Sequence, residues 1–248
     1  MAAWLARLST CRRPVCLAAL LAVVAACAQP AVLLPPSGTM DVLGPVPAPE
    51  PSALPADWVI EGDIGRGQLT VVERAGVPAL MVVNGSHNFV AAKPTYASLL
   101  ATPYLSWAWN MEPQQAGAHP VRLVIGFYGG DPQSRPWRER PPPPANGPAL
   151  PPHDRALVIV WGESALRRGA IVASDPTRMP QPPARYTARG GPENARTWWL
   201  ETVDLSDIYR RAWPGDDAGR VQVAFIGVAA MAGRPVSPGY VSGVRLSR

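Results

Sequence analysis

Beyond residue 57 the chain alternates apolar and polar positions with a period of two. Leu123, Ile125 and Phe127 alternate with Arg122, Val124 and Gly126, and Val221, Val223 and Phe225 alternate with Gln222, Ala224 and Ile226. This period marks strands that turn one face to a core. The same reading gives strands over 58–61, 69–73, 79–83, 89–92, 104–110, 157–161, 170–173, 197–202 and 240–246, separated by glycine, proline and asparagine turns. Only 205–212 carries a helical pattern. About eleven short strands and one short helix predict an all-β fold, an antiparallel jelly-roll-like sandwich, because alternation needs one buried and one wetter face per sheet. An α/β sheet would need repeated crossover helices, which the pattern lacks.

Two stretches break the alternation. Residues 28–56 read AQPAVLLPPSGTMDVLGPVPAPEPSALPA, too rich in proline for a helix or a central strand. They are expected to act as a spacer; 29 residues in polyproline II, at about 3.1 Å each, reach roughly 90 Å. A second break at about 129–154 contains SRPWRERPPPPANGPALPPHD and separates two strong strand signals. It is expected to be a projecting loop insertion, with its arginines and Trp137 as a possible docking surface for a protein partner.

The N-terminal segment carries Arg7, Arg12 and Arg13, then an apolar run from Val15 to Val24, then Val24-Ala25-Ala26-Cys27. The apolar run is far shorter than the roughly 20 residues a membrane-spanning helix needs, and the order basic, apolar, small is that of a signal peptide. Its end resembles the lipobox of bacterial lipoproteins. That resemblance implies a signal peptide over 1–26, lipidation at Cys27 and a membrane anchor through it; Ala28, where an aspartate would favour retention at the inner membrane, points to the outer membrane of the cell envelope.

Removal of the signal changes two balances. Cys11 and Cys16 leave with it and a lipidated Cys27 cannot pair, so the mature domain has neither disulfide nor thiolate metal site. The basic count falls from 23 by the three arginines to 20, against 18 acidic residues, which gives no support for a nucleic-acid partner. The 192 positions of residues 57–248 fit a single domain large enough to build a core.

A series of motifs follows this frame: Asp57-Trp58, Leu105-Ser106-Trp107-Ala108-Trp109, Val121 to Phe127, Val160-Trp161-Gly162, and Trp198-Trp199-Leu200-Glu201 with Val203-Asp204-Leu205. In this order they resemble the bacterial domain-of-unknown-function family number 3047, over nearly all of residues 57–248. The resemblance implies an exported jelly-roll sandwich similar to galactose-binding and carbohydrate-binding modules, and no assigned chemistry. Two places depart from the family pattern. Ala229-Ala230-Met231-Ala232-Gly233-Arg234 replaces an acidic, asparagine-containing turn, so no side-chain carboxylate is there for calcium, and Gly117-Ala118-His119-Pro120 replaces an acidic pair.

No catalytic residue is identified from the sequence. Gly162-Glu163-Ser164-Ala165-Leu166 begins like a nucleophile elbow, but Leu166 stands where the pattern needs glycine, which leaves Ser164 as a turn residue. His87, His119 and His153 lack metal-ligand spacing, and no cofactor or metal motif is present. Glycoside hydrolysis needs two carboxylates, about 5 Å or 6.5–9.5 Å apart, and Glu61, Asp63, Glu201, Asp204 and Asp207 are the candidates. Glu201 shares a strand face with Trp199 and Val203, where apolar neighbours would raise its pKa and an arginine partner would hold it ionised. Asp204 and Asp207 suit the cap and first turn of the short helix.

Leu105, Trp107 and Trp109 fall on one strand face and are expected in the core. Trp198 and Trp199 must point to opposite faces, so one indole leaves the core. Trp161, Trp198, Trp199 and Glu201 are therefore the candidate ligand-binding residues. The expected role is a non-catalytic envelope module that binds a glycan or an envelope protein; the alternative is a glycoside hydrolase-like enzyme using paired carboxylates.

Overall fold

The computed structural model describes residues 38–43, 57–135, 149–175, 177–178 and 181–248. Cys27 with the signal segment, most of the proline-rich stretch, and residues 136–148 with Trp137 lie outside the described residues. The strands are β1 (Thr39–Leu43), β2 (Val59–Gly62), β3 (Leu69–Arg74), β4 (Val77–Val83), β5 (Phe89–Ser98), β6 (Tyr104–Met111), β7 (Val121–Tyr128), β8 (Arg155–Gly162), β9 (Ile171–Val172), β10 (Ala184–Gly190), β11 (Trp199–Asp204), β12 (Gln222–Ala230) and β13 (Pro238–Ser247). One α-helix, α1 (Leu205–Ala212), follows β11.

The strands form a two-sheet sandwich. A six-stranded sheet runs β11, β6, β13, β4, β3, with β1 also paired to β13; a seven-stranded sheet runs β2, β5, β12, β7, β8, β10, β9. The expected antiparallel sandwich holds with one correction: β8 and β10 are parallel. The turn after β8 and the short edge strand β9 carry the chain around, so that β10 re-enters beside β8 in the same direction.

Two strands lie where the sequence predicts none. β1 sits inside the stretch expected to be spacer, and it occupies the longest proline-free run there, 37–44. With free N–H groups, Thr39–Leu43 pair with the end of β13, from Thr39 opposite Ser247 to Leu43 opposite Val244. β10 reads ARYTARG, and its arginines hide a strand whose Ala184 and Ala188 face the core.

Between the sheets the core is built around three indoles. Trp107 and Trp109 from β6 meet edge-to-face at 5.3 Å, and Trp109 meets Trp161 of β8 at 5.6 Å. These are favoured geometries for aromatic quadrupoles, and all three rings are fully buried. The α1 helix starts at Asp204, whose Oδ1 accepts from the Asp207 N–H at 2.9 Å, and packs Tyr209 against Phe127, ring centroids 5.0 Å apart.

β12 corrects the expected alternation. A bulge between Val223 and Phe225 shifts the register against both neighbouring strands. Val221 and Val223 face the core as predicted, but beyond the bulge Ile226 and Val228 take that face and Phe225 turns outward. One extra residue reverses every following side chain. Phe225 therefore joins Val124, Val158 and Val160 on the outer face of the seven-stranded sheet, where Leu150 covers part of them. The central strands of that sheet are buried on both faces, which explains their nearly continuous apolar runs.

Candidate binding groove

The sequence-predicted site residues divide between core and clamp. Trp161 has no exposed surface, so it lines no cleft, in contrast to its expected role. Its position between the sheets follows from the parity of β8, on which Leu157, Ile159 and Trp161 share the core face. Trp198 is half-buried just before β11 and donates from Nε1 to the Arg74 carbonyl at 3.0 Å. Trp199 donates from Nε1 to the Asn194 carbonyl at 2.9 Å, and the Arg189 guanidinium lies over its ring at 3.7 Å. Arg189 thus occupies one face of the Trp199 ring, while the Trp198 N–H is engaged by backbone.

Glu201 lies on the inner side of β11, with a side chain only 2% exposed, while Leu200 beside it is 75% exposed. Its Oε1 pairs with Arg189 Nε of β10, and its Oε2 with Arg168 Nη2 at 3.2 Å. Arg189 thus bridges the two sheets at one side of the sandwich and, with Arg168, gives the buried carboxylate its partners. Asp204 and Asp207 serve locally. Asp204 caps α1 and its pKa is lowered, burial opposing and the Ser206 and Asp207 hydrogen bonds prevailing; Asp207 pairs with Arg211 at 3.4 Å. Among the described residues no group of three histidine, cysteine or carboxylate side chains is placed to hold a metal ion.

A separate concavity opens over the outer face of the seven-stranded sheet, enclosing about 470 Å³, within the range of small-molecule sites of about 300–1,000 Å³. Its floor is apolar, with Val90, Val124, Val158 and Ala229 on neighbouring strands. Glu61, Asn88, His153 and Gln181 stand among its polar lining residues. Phe225 also contributes, lying over Gly126, where a Cβ would come within 2.1 Å of the ring. The His153 ring meets Phe225 edge-to-face at 5.1 Å.

One wall is held by the described ends of the proline-rich insertion. Asp154 Oδ2 accepts from the Gly129 N–H at 2.7 Å and from the Ser134 hydroxyl. Arg155 grips both oxygens of Asp216 at 2.9 and 3.0 Å and pairs with Asp131 at 2.8 Å; Tyr209 donates to Asp216 at 2.7 Å. This network fixes the chain on either side of His153 and Leu150, so the wall does not depend on side-chain packing alone.

Arg122 is the charged group in the floor. It alternates with the core residues Val121 and Leu123, so it points outward, into the groove. Its Nε is buried without an acceptor among the described residues. Arg185, two strands away on the same face, pairs in register with Val158. The sequence reading missed this site because its floor residues are common aliphatics; the available signal was the outward position of Val124 within VRLVIGF, where a wet face would carry a polar side chain.

No family model matches the chain, and no curated protein matches it. Among solved structures it is similar to the family 11 carbohydrate-binding module of the cellulosomal cellulase Lic26A-Cel5E of Clostridium thermocellum. That match has 8% identity over 84% of this chain and 94% of that one, with a TM-score of 0.40. A family 30 carbohydrate-binding module gives 9% identity over 84% and 87%, TM-score 0.41. A mutant of the ENZbleach xylanase gives 10% identity over 83% of both chains, TM-score 0.37.

Proposed function

We propose that this domain is a non-catalytic glycan-binding module of the bacterial cell envelope, with its ligand in the groove on the outer face of the seven-stranded sheet. The carrying observation is the groove's division into an apolar floor and a polar lining. A sugar ring presents C–H faces to apolar surface while its hydroxyls seek polar neighbours, and an open trough admits a chain of such rings. Binding rather than hydrolysis is favoured because Glu61 is the one carboxylate among the described groove-lining residues, and a glycosidase needs two. Glu201, the strongest catalytic candidate in the sequence, is engaged by two arginines.

The address comes from the N-terminal segment: a signal peptide over 1–26 is removed, and Cys27 behind it carries the lipid and holds the domain on the outer membrane. The test is a glycan array with the purified domain, followed by calorimetric titration of the hits. Ala156→Trp and Val90→Trp fill the groove from two sides and should weaken binding at least tenfold while leaving the melting temperature near that of wild type. No glycan bound by wild type, or undiminished binding by both variants, overturns the reading.

A further inference from the structure

A guanidinium is an expensive group to place in an apolar floor without a partner. Arg122 makes no hydrogen bond or ion pair among the described residues, and its Nε is sealed from solvent. The same holds for pairing at Arg185, which is exposed at the neighbouring side of the same face. Burial, and then repulsion from Arg185, push the Arg122 pKa down. Glu61, the lining carboxylate, is three strands away through Val90 and Ala229, about 14 Å at the usual spacing between strands, and cannot neutralise it. Two other largely covered arginines among the described residues are paired: Arg155 with Asp216 and Asp131, Arg189 with Glu201. Among the described residues the floor of the groove is thus a positive site without its anion.

Resting on the glycan reading above, we propose that the ligand is an acidic saccharide, a uronic-acid-containing glycan whose carboxylate is received by Arg122 and steered by Arg185. A carboxylate matches the planar fork of a guanidinium, and the pairing is strongest where water is excluded. Arg185 at the rim adds charge that acts on the approach of the ligand and weakens with salt. The sugar body then lies on Val124 and Val158, between the two arginines in the strand register.

The experiment titrates the domain with tetragalacturonate and with its fully methyl-esterified form, which keeps the same backbone and masks the charge. The acid should bind at least tenfold more tightly, with the difference shrinking as salt is raised. Arg122→Gln should abolish the preference while leaving weak binding to the ester. The same substitution should raise the melting temperature by a few degrees, since it removes a charged group whose Nε is buried without an acceptor among the described residues; a merely structural arginine would lower it. Arg185→Gln, at an exposed position, should reduce the preference only partly. Equal affinity for acid and ester, or a preference retained in Arg122→Gln, overturns the assignment while the glycan reading stands. Failure of every glycan to bind overturns both. Preference for a sulfated over a uronate oligosaccharide rejects the carboxylate.

Discussion

Arg189 of β10 reaches across the sandwich to Glu201 of β11, and its guanidinium lies on the ring of Trp199. One side chain thereby joins the two sheets and occupies the acid and the indole that the sequence singles out for ligand binding. The pair is nearly dry, with side chains 12% and 2% exposed, so its members depend on each other more than on solvent.

Removing one member should therefore be worse than removing both. Glu201→Leu leaves Arg189 buried without its acceptor and should cost about 3–5 kcal/mol, whereas the double variant Glu201→Leu/Arg189→Met should recover a large part of it. Urea denaturation of the single and double variants provides the measurement. A double variant as unstable as the sum of the singles would show that the pair is not coupled.

The tryptophans should separate by stability and not by ligand affinity. Trp161→Ala empties a volume in the center of the core and should cost about 3–5 kcal/mol. Trp198→Phe loses one half-buried hydrogen bond to the Arg74 carbonyl and should cost about 1 kcal/mol. Calorimetric unfolding reads both. Equal costs would place the two indoles in similar surroundings, contrary to the structure.

His119 makes the fold sensitive to mild acid. Burial lowers its pKa from 6.5 to about 4, against smaller opposing contributions, and Nδ1 accepts from the Val121 N–H at 3.1 Å, which requires an unprotonated nitrogen. Between those two pKa values the unfolded chain binds the proton that the folded chain refuses, so stability rises with pH across this window. Its contribution is complete above pH 6.5 and declines as pH falls toward 4, by an amount on the order of 3 kcal/mol. His119→Asn keeps an acceptor for Val121 and should flatten the stability profile between pH 6.5 and 4. An unchanged slope would reject a neutral buried histidine.

The fold was legible where side-chain parity is simple. Trp107 and Trp109 declared a core face, and the helix over 205–212 was visible in its apolar spacing and in Asp204 as cap. β1 was hidden by the prolines around it, although its pairing needs only a short run of free N–H groups, and β10 by arginines that project from a strand. The candidate site was less legible. Period-two reasoning assigns Phe225 to the core, and the bulge at Val223–Phe225 leaves no unambiguous mark in QVAFIGV. Tryptophan and glutamate attract attention as chemistry, yet their indole N–H groups and carboxylate are engaged by partners distant in sequence: Arg74, Arg168 and Arg189. Arg122 lies in a plain alternating strand, and its want of a partner among the described residues becomes visible only when β7 is set between β12 and β8.

The central claim is the location of the ligand, and the most direct test is chemical-shift mapping while tetragalacturonate is titrated into the labelled domain. A ligand in the groove gives saturable shifts of the Val90, Val124 and Val158 methyl signals and of the Arg122 Nε–H, with the indole N–H signals of Trp198 and Trp199 unmoved. Saturable shifts at Trp198 and Trp199, with the valine methyls unchanged, would contradict it.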